Sequence, residues 1–339
     1  MVVFKVLEPG LLTTVQDLGR FGFQQFGVPV AGAMDSYALR IANYLVGNDG
    51  HAAGLEVTLT GPALQVTKTA VIAITGGDLT PLMNDKSIPM WETVAVQSGD
   101  ILTFAGWRSG CRAYLAVAGG VDVPVIMGSR ATYLRGSLGG LEGRRLKAGD
   151  CLAVGGTARK IAAGTKVPAE LIPKYAEHSQ VSVILGPQHD HFPPESIEVF
   201  LNAMYSVTDE ADRMGYRLAG AKIIHKSQAD IISDGIAPGS VQIPGHGMPI
   251  IMLADRQTIG GYTKIATIIS SDLCKVAQAK PGDTISFASV SIDTAHGILA
   301  ATEQKLASWE RSLVMTGCGC KRYVLSIDGQ AYHVELVEC

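Results

Sequence analysis

The stretch SDGIAPGSVQIPGHGMPIIMLADRQTIGGY, residues 233–262, carries the strongest local signal for how the chain folds. Its apolar run, residues 249–254, is short and lies between turn-forming residues, a pattern typical of a buried strand. The glycines and prolines on both sides end regular structure and allow the backbone to approach a ligand closely. The stretch therefore predicts a buried β-strand with glycine-rich turns at its ends.

Polar side chains between these turns could hold a small molecule. They are Gln242, His246, Asp255, Gln257, Thr258 and Tyr262. A system of β-turns with no chemistry of its own explains the same glycine and proline pattern, so both interpretations stay open at this point.

Composition predicts a β-rich chain and excludes some classes of partner. The 339 residues include 39 glycines, and 47% are hydrophobic, which indicates tight turns between short buried strands. The net charge of −3 gives no electrostatic reason to bind nucleic acid or an anionic membrane. The first residues lack the pattern of a signal peptide, and no apolar run is long enough to span a bilayer. We therefore expect a cytoplasmic protein.

The six cysteines contain no Cys-x-x-Cys pair. In a cytoplasmic protein this spacing predicts reduced thiols. Cys318 and Cys320 could instead hold a soft metal or form a strained disulfide, but no second pair of ligands accompanies them.

Local patterns predict the elements of the first half. Residues 4–7 form a strand and residues 13–20 a polar segment. A helix follows, with Asp35 or Ser36 as its N-cap and Gly47 as its stop. Asp35 is therefore expected to cap a helix and not to act as an acid or base. Residues 55–154 then have the pattern of β-strands separated by turns.

A Gly-Asp turn precedes an apolar strand at residues 99–100, 149–150 and 282–283, which suggests two similar β units. The strand pattern lapses between residues 159 and 179, where we place a domain boundary.

The second half mixes strands and short helices. The predicted strands are residues 181–185 and parts of 205–218. The predicted helices are one after Pro194 with Met204 on its apolar face, one over residues 271–278 and one from an Asp293 cap to Trp309. Residues 321–336 alternate and predict a hairpin turning at Asp328-Gly329.

Several catalytic signatures are missing from the sequence. It has no Gly-x-Ser-x-Gly elbow, no Gly-Lys dipeptide of a Walker A loop and no Gly-x-Gly-x-x-Gly ahead of a helix. His189 and His191 would lie on one face of a strand, but no further ligands accompany them. We predict no metal site.

The segment DRMGYR, residues 212–217, is the best candidate for anion binding. Arg213 and Arg217 offer forked donors suited to a carboxylate, carbamate or phosphate, and Asp212 could orient one of them. An ion pair at the surface or between domains explains the same residues. Gln16, Asp17 and Arg20 form a similar polar set. Because binding sites are common at domain interfaces, we expect the two sets to meet in a cleft.

Ordered sequence blocks over nearly the whole chain, up to about residue 312, carry a family resemblance. They are PGLLTTVQDLGR (residues 9–20), GVP (27–29), GAMD (32–35), LEV (55–57) before GP (61–62), DRMGYRL (212–218) and Gln278 before KPGD (280–283). In these blocks the chain resembles the carboxyltransferase-type family. That family includes Kip-type kinase-inhibitor antagonists, the C subunit of 5-oxoprolinase, the second subunit of allophanate hydrolase and the carboxyltransferase domain of urea carboxylase.

The resemblance implies a mainly β fold with two tandem cyclophilin-like β-barrels and a few peripheral helices. The implied domains are residues 1–175 and 176–312, followed by a β-hairpin tail at 313–339 that is similar to the start of a biotinyl domain. No Met-Lys dipeptide occurs, so no covalent biotin is expected on this chain.

The function implied by the resemblance is that of the C subunit of an ATP-dependent 5-oxoprolinase, which converts 5-oxo-L-proline to L-glutamate. ATP with Mg is the implied cofactor. The implied partners are the Kip-inhibitor-type B subunit, together with the lactam-utilisation-type A subunit, and a homo-oligomer is also compatible. The alternatives are a carboxyltransferase that uses a separate biotin carrier, and a non-catalytic antagonist of a kinase inhibitor.

The candidate site residues follow from the segments above. The predicted catalytic residues are Asp212, Arg213, Arg217 and Gln257. The predicted substrate-binding residues are Gln16, Asp17, Arg20, Tyr216, Gln242, His246 and Tyr262.

Overall fold

A computed structural model of the chain describes residues 1–317, 320–327 and 330–337, with side chains described up to residue 313. The strands of the first half are β1 (Val2–Glu8), β2 (Leu12–Gln16), β3 (Gly54–Thr58), β4 (Ala63–Val66), β5 (Ala70–Asp78), β6 (Pro81–Met83), β7 (Lys86–Ser87), β8 (Thr93–Val96), β9 (Ile101–Phe104), β10 (Ser109–Val117) and β11 (Cys151–Ala153). Those of the second half are β12 (His178–Leu185), β13 (Met204–Ala211), β14 (Gly215–Ala219), β15 (Asp230–Gly235), β16 (Ser240–Ile243), β17 (Ile250–Met252), β18 (Ile259–Ile268) and β19 (Thr284–Ser289). A last pair is β20 (Cys320–Ile327) and β21 (Gln330–Val337).

The described α-helices are α1 (Ser36–Leu45), α2 (Pro194–Asn202), α3 (Leu273–Ala277) and α4 (Ile292–Gly317). Short 3-10 helices cover Gln24–Phe26, Ala169–Leu171, His189–His191 and Ser270–Asp272. The prediction of a mainly β chain with a few helices is confirmed. No helix in the described part of the chain is both long and apolar enough to cross a membrane.

The first half contains two sheets, with strand orders β11-β1-β4-β9-β6-β7 and β2-β3-β10-β5-β8. Aliphatic side chains such as Val6, Leu55, Ile74 and Leu115 fill the space between them. Helix α1 packs on the other face of the second sheet, against Ala73 and Ala116. Because both faces of the second sheet are covered, β3 is buried along its whole length and β5 and β10 along most of theirs. In the first sheet, β4 alternates between buried and partly exposed residues.

The second half forms one eight-stranded sheet in the order β12-β19-β13-β14-β17-β16-β18-β15. An additional antiparallel pairing of β12 with β18 joins the sheet to itself, so its ladder is continuous around seven strands. Strands β12 and β19 run parallel, with His178 opposite Thr284. Phe200 of α2 stacks on Phe287 inside this half, with ring centroids 4.4 Å apart.

No strand before residue 154 pairs with a strand after residue 177 in the described residues. The division into domains at residues 1–175, 176–312 and 313–339 stays a prediction. The two strands of the tail hairpin, β20 and β21, pair antiparallel, while the turn at Asp328-Gly329 lies outside the described residues. Cys318 and the side chain of Cys320 also lie outside them. Cys111, Cys151 and Cys274 are free thiols.

The three Gly-Asp turns have the same geometry. In each turn the glycine has a positive φ, between 90° and 98°, and the aspartate carboxylate accepts a hydrogen bond from the backbone N–H three residues earlier. These bonds are 2.7, 2.7 and 3.0 Å long, at Asp100, Asp150 and Asp283. The same short signal therefore produces the same turn in both halves, as expected from an Asx-type side chain.

Asp35 caps α1 as predicted. Its Oδ1 accepts a hydrogen bond of 2.9 Å from the backbone N–H of Ala38. Its Oδ2 accepts bonds from the Tyr175 hydroxyl and the Gln278 amide at 2.8 and 2.9 Å. Burial raises the pKa of Asp35 above its ordinary value, against the effect of these donors.

Four local predictions were wrong. The segment from Thr13 begins as strand β2, where Thr13, Thr14 and Gln16 are buried. Met204 opens β13 with 60% of its surface exposed, so it does not extend the apolar face of α2. The two histidines of His189–His191 form a 3-10 helix instead of a strand. Within the described residues, these histidines do not belong to any group of three or more metal-ligating side chains.

The fourth error concerns the start of α4. The helix begins at Ile292, and Ser291 provides the cap: its Oγ lies 3.1 Å from the backbone N of Thr294. Asp293 is the second helical residue and has an acidic side chain in the first turn. The error has a simple cause, since both serine and aspartate are favoured at N-caps.

We predict that Ser291→Ala lowers the free energy of unfolding by about 1 kcal/mol, because a backbone N–H of α4 loses its acceptor. Urea unfolding followed by circular dichroism measures this change. Asp293→Asn is the matched control and should cost less, since Asp293 only interacts with the helix dipole. A larger loss for Asp293→Asn than for Ser291→Ala would contradict the cap assignment.

Candidate functional site

A buried ion cluster joins the two halves of the protein at Arg213. This residue lies in the turn between β13 and β14 and is only 4% exposed. Its Nε and Nη2 atoms donate to both oxygens of Asp255, at 3.1 and 2.9 Å. Its Nη1 contacts Glu56 of β3, and Nη2 also donates to the Gly32 carbonyl at 2.5 Å. All three guanidinium nitrogens are therefore engaged within the protein.

Further donors surround Glu56 and complete the cluster. Its Oε2 accepts hydrogen bonds of 2.8 Å from the Met34 backbone and from the Tyr114 hydroxyl. Arg112 donates from Nη1 to the Tyr216 hydroxyl at 2.5 Å and to the Ala277 carbonyl at 2.6 Å. Tyr216 is thus a buried member of the connection between the halves.

The two carboxylates of the cluster stabilise the charged form of Arg213. Burial opposes its charge, but Glu56 and Asp255 outweigh this effect and raise the pKa of Arg213 above its ordinary value. Because the ion pairs are nearly dry and hydrogen-bonded on every side, removing one partner would leave an uncompensated charge in the core.

The set Gln16, Asp17 and Arg20 is buried in the first half and organises a loop. Asp17 accepts hydrogen bonds from the backbone of Gly19 and from Ser129 and Arg130. The guanidinium of Arg20 donates to the carbonyls of Ile126 and Ala131, and the Gln16 amide donates to the Thr132 carbonyl. These residues hold the loop at 126–132 and do not contact the Asp212–Arg217 segment directly.

The loop they hold continues to Arg135, which does reach the second half. Arg135 Nη2 lies 3.3 Å from Asp212 Oδ2, at the end of β13. Gln16, Asp17 and Arg20, which the sequence suggests as a binding site, therefore act indirectly. They fix the loop that positions Arg135.

A cavity of about 170 Å³ opens at this contact, and we call it the amide cavity. Its lining consists of Arg135, Asp212, Met214, Gly215, Arg217, Gln242, Ile250, Met252, Gln257 and Tyr262. Five predicted site residues meet here: Asp212, Arg217, Gln242, Gln257 and Tyr262. The predicted cleft residues Arg213 and Tyr216 do not line the cavity, because their polar groups are used in the buried cluster.

His246 also lies away from the amide cavity. It occupies an exposed turn, where its Nδ1 accepts a hydrogen bond from the Met248 backbone at 3.1 Å. Arg135 was missed because it comes from the first half, in a loop whose sequence has no chemical pattern. Only the structure reveals which segment this loop contacts.

The two arginines of the amide cavity are held weakly. Arg135 pairs with Asp212, and Arg217 Nε lies 3.2 Å from Glu210 Oε2. The side chains of both pairs are largely exposed. Exposed ion pairs contribute little free energy, so an incoming anion can replace them. The cavity therefore presents two exchangeable positive charges.

Gln242 differs from its neighbours because it is 1% exposed and its Nε2 has no hydrogen-bond partner among the described residues. An unpaired buried amide costs free energy, and native proteins rarely leave one without a reason. Gly260 keeps space beside it: a Cβ at position 260 would lie 3.0 Å from Gln242 Nε2 and 2.6 Å from Ile236. The Gly-Gly pair of the opening stretch thus leaves room around a free donor.

Comparisons with known proteins agree with this architecture. The family model "Carboxyltransferase domain, subdomain A and B" matches residues 26–289. The C subunit of 5-oxoprolinase from Escherichia coli is 38% identical over 86% of this chain and 93% of its own length. The urea amidolyase of Lachancea kluyveri is 35% identical over 92% of this chain, which spans only 18% of that enzyme. The Kluyveromyces lactis urea carboxylase structure superposes with a TM-score of 0.86 at 31% identity, over 99% of this chain and 32% of that one.

We predict that Arg213→Ala lowers the free energy of unfolding by about 3–5 kcal/mol, because Glu56 and Asp255 would be left as unpaired buried carboxylates. Chemical unfolding followed by tryptophan fluorescence measures the loss. The matched control is Arg217→Ala, which removes an exposed pair and should cost about 1 kcal/mol or less. Equal stability of the two variants would show that the buried cluster does not hold the halves together.

Proposed function

We propose that this chain, which belongs to the carboxyltransferase domain family with subdomains A and B, is the C subunit of an ATP-dependent 5-oxoprolinase. The complex would open the lactam ring of 5-oxo-L-proline to give L-glutamate. The proposal is supported by the 5-oxoprolinase C subunits of Escherichia coli and Haemophilus influenzae, which are 38% and 36% identical to this chain over most of their lengths.

The unpartnered amide of Gln242 carries the proposal. A substrate with a carbonyl oxygen and a carboxylate matches the donors of the amide cavity. These are a buried amide NH2 group with no partner among the described residues, and two guanidinium groups that can exchange their partners. We propose that Gln242 donates to the lactam carbonyl and that Arg135 and Arg217 bind the substrate carboxylate. A donor fixed in place before the reaction stabilises the negative charge that develops on that oxygen.

Gln257 and Tyr262 complete the proposed site. Gln257 lies near the same space, since a Cβ at position 260 would be 3.5 Å from its Nε2. Tyr262 lines the opening with a partly exposed ring. We propose that these two groups orient the ring of the substrate, while Asp212 fixes Arg135.

The amide cavity does not fit the implied cofactor. Its volume of about 170 Å³ is below the roughly 300–1,000 Å³ of drug-sized ligand sites, so it suits a small cyclic amide and not a nucleotide. The described residues also provide no cluster of carboxylates for a Mg ion. We therefore place neither ATP nor Mg in the amide cavity and propose that the partner proteins supply both.

The proposed partners are the Kip-inhibitor-type B subunit, together with the lactam-utilisation-type A subunit, both in the cytoplasm. The support is that the two relatives are themselves subunits of a larger enzyme, which implies further chains. Each partner would supply chemistry for which the amide cavity has neither the volume nor the ligands.

A carboxyltransferase that accepts CO₂ from a separate biotin carrier is the second candidate. It is favoured by the similarity to urea amidolyase and urea carboxylase over 92% and 99% of this chain. The amide cavity would suit a carboxylated small amide for the same reasons, so the two functions differ in the co-substrate and not in this site.

We predict that Gln242→Leu lowers glutamate release from 5-oxoproline and ATP roughly a hundredfold in the complex reconstituted from all three proteins, because the proposed oxyanion donor is lost. Its stability should not fall, since an unpaired buried amide is replaced by an apolar group of similar size. The matched control is Gln97→Leu, an exposed glutamine far along the chain from the amide cavity, which should keep full activity.

If the wild-type complex releases no glutamate but transfers carboxylate from a biotinylated carrier, the carboxyltransferase function replaces the 5-oxoprolinase function. Full activity of Gln242→Leu would place the reaction outside the amide cavity, whichever function is correct.

A further inference from the structure

A second cavity, of about 330 Å³, lies between α1, α4 and the segment that follows β17, and we call it the Arg256 cavity. Its lining includes Tyr37 and Arg40 of α1, Leu299 and Glu303 of α4, and Arg256 and Ser271. The walls are mainly apolar. Arg256 also lines the neighbouring space of about 420 Å³ beside Gln257, so it lies where two openings meet.

Arg256 is a buried cation with no carboxylate partner among the described residues. It is 8% exposed, and its Nε and Nη1 donate to the carbonyls of Ile236 and Leu253 at 2.9 and 3.2 Å. Within the same part of the chain its Nη2 forms no hydrogen bond. Burial alone lowers the pKa of Arg256 to about 10, which leaves it charged at neutral pH.

The other buried arginines all have a carboxylate nearby. Arg213 is paired with two carboxylates, Arg112 lies 4.0 Å from Glu56, and Asp17 favours the charge of Arg20. Arg256 is the exception among the described residues. Because an unpaired buried charge costs several kcal/mol, its presence in a cavity indicates a group whose counter-ion comes from outside.

The remaining polar groups of the cavity support one anion and not several. Arg40 is saturated by Glu303, with two bonds of 2.7 Å between them. The hydroxyl of Ser271 is buried and has no partner among the described residues, so it can act as a second, neutral donor. A ligand for this space therefore needs one negative charge and an apolar body.

We propose that the Arg256 cavity binds a small organic carboxylate, with its charge at Arg256 and its apolar part against α1 and α4. A carboxylate fits better than a phosphate, because two of the three guanidinium nitrogens are already used and one unit of positive charge matches a monoanion. This site is separate from the amide cavity: the two share no lining residue.

The wild-type full-length chain tests the ligand class directly. Isothermal titration calorimetry with hexanoate, hexanol and hexyl phosphate compares three polar head groups on the same alkyl chain. Hexanoate should bind with one site per chain and at least about tenfold more tightly than hexanol, the difference expected for one charged hydrogen bond. Equal binding of hexanoate and hexanol, or tighter binding of hexyl phosphate, would overturn the proposal.

Two variants identify the site. Arg256→Gln should weaken hexanoate binding at least about tenfold and leave the melting temperature unchanged or higher, because an uncompensated buried charge is removed. The matched control is Arg145→Gln, at an exposed arginine that lines neither cavity, which should bind hexanoate like the wild type. Unchanged binding by Arg256→Gln would exclude this cavity.

If Arg256→Gln fails to fold, Arg256→Lys provides the same decision. The lysine keeps the charge but not the planar fork of donors, so hexanoate should bind more weakly than to the wild type and still more tightly than hexanol. Binding equal to that of the wild type would exclude this cavity. Because activity of the reconstituted complex is not the readout, failure here leaves the proposed 5-oxoprolinase function standing, and failure of that function leaves this site standing.

Discussion

The guanidinium of Arg213, held between the carboxylates of Asp255 and Glu56, is the interaction on which the rest of the structure depends. It contacts β3 of the first half, the Gly32 carbonyl before α1 and the segment after β17 at once. A guanidinium is planar and points its donors in fixed directions, so these three parts of the chain can move only together. The amide cavity forms at the edge of this fixed contact, where Arg135 of one half meets Asp212 of the other.

The sequence predicts elements whose cause is local. The cap at Asp35, the three Gly-Asp turns and the strand of the opening stretch all depend on residues within a few positions of one another. The roles of the arginines are not local. Glu56 is 157 residues from Arg213, and the same Asp-Arg-Met-Gly-Tyr-Arg segment would have an identical pattern with Arg213 facing a ligand. Sequence patterns predict anion binding for the segment but not which of its two arginines is buried.

The candidate site illustrates the same limit in a second way. Gln242, Gln257 and Tyr262 could be named from the opening stretch because glycines surround them. Arg135 could not, since its position depends on Asp17 and Arg20 holding a loop more than a hundred residues further along the chain. Arg256 lies between the predicted residues Asp255 and Gln257, and no sequence pattern distinguishes it from a surface arginine. In the structure Asp255 pairs with Arg213, and Arg256 has no carboxylate partner among the described residues.

The pairing of β12 with β19 has a consequence for how the protein is made. These parallel neighbours are the first and last strands of the second half, and His178 and Thr284 are 106 residues apart. The ribosome synthesises the chain from its N-terminus. Strand β12 therefore cannot pair with β19 until almost all of the second half has emerged. Glu56 likewise lacks Arg213 until the chain has grown 157 residues beyond it. Until these contacts form, both halves expose surfaces that later become interior. Contacts between such distant residues form slowly, which makes this newborn chain a natural client for chaperones.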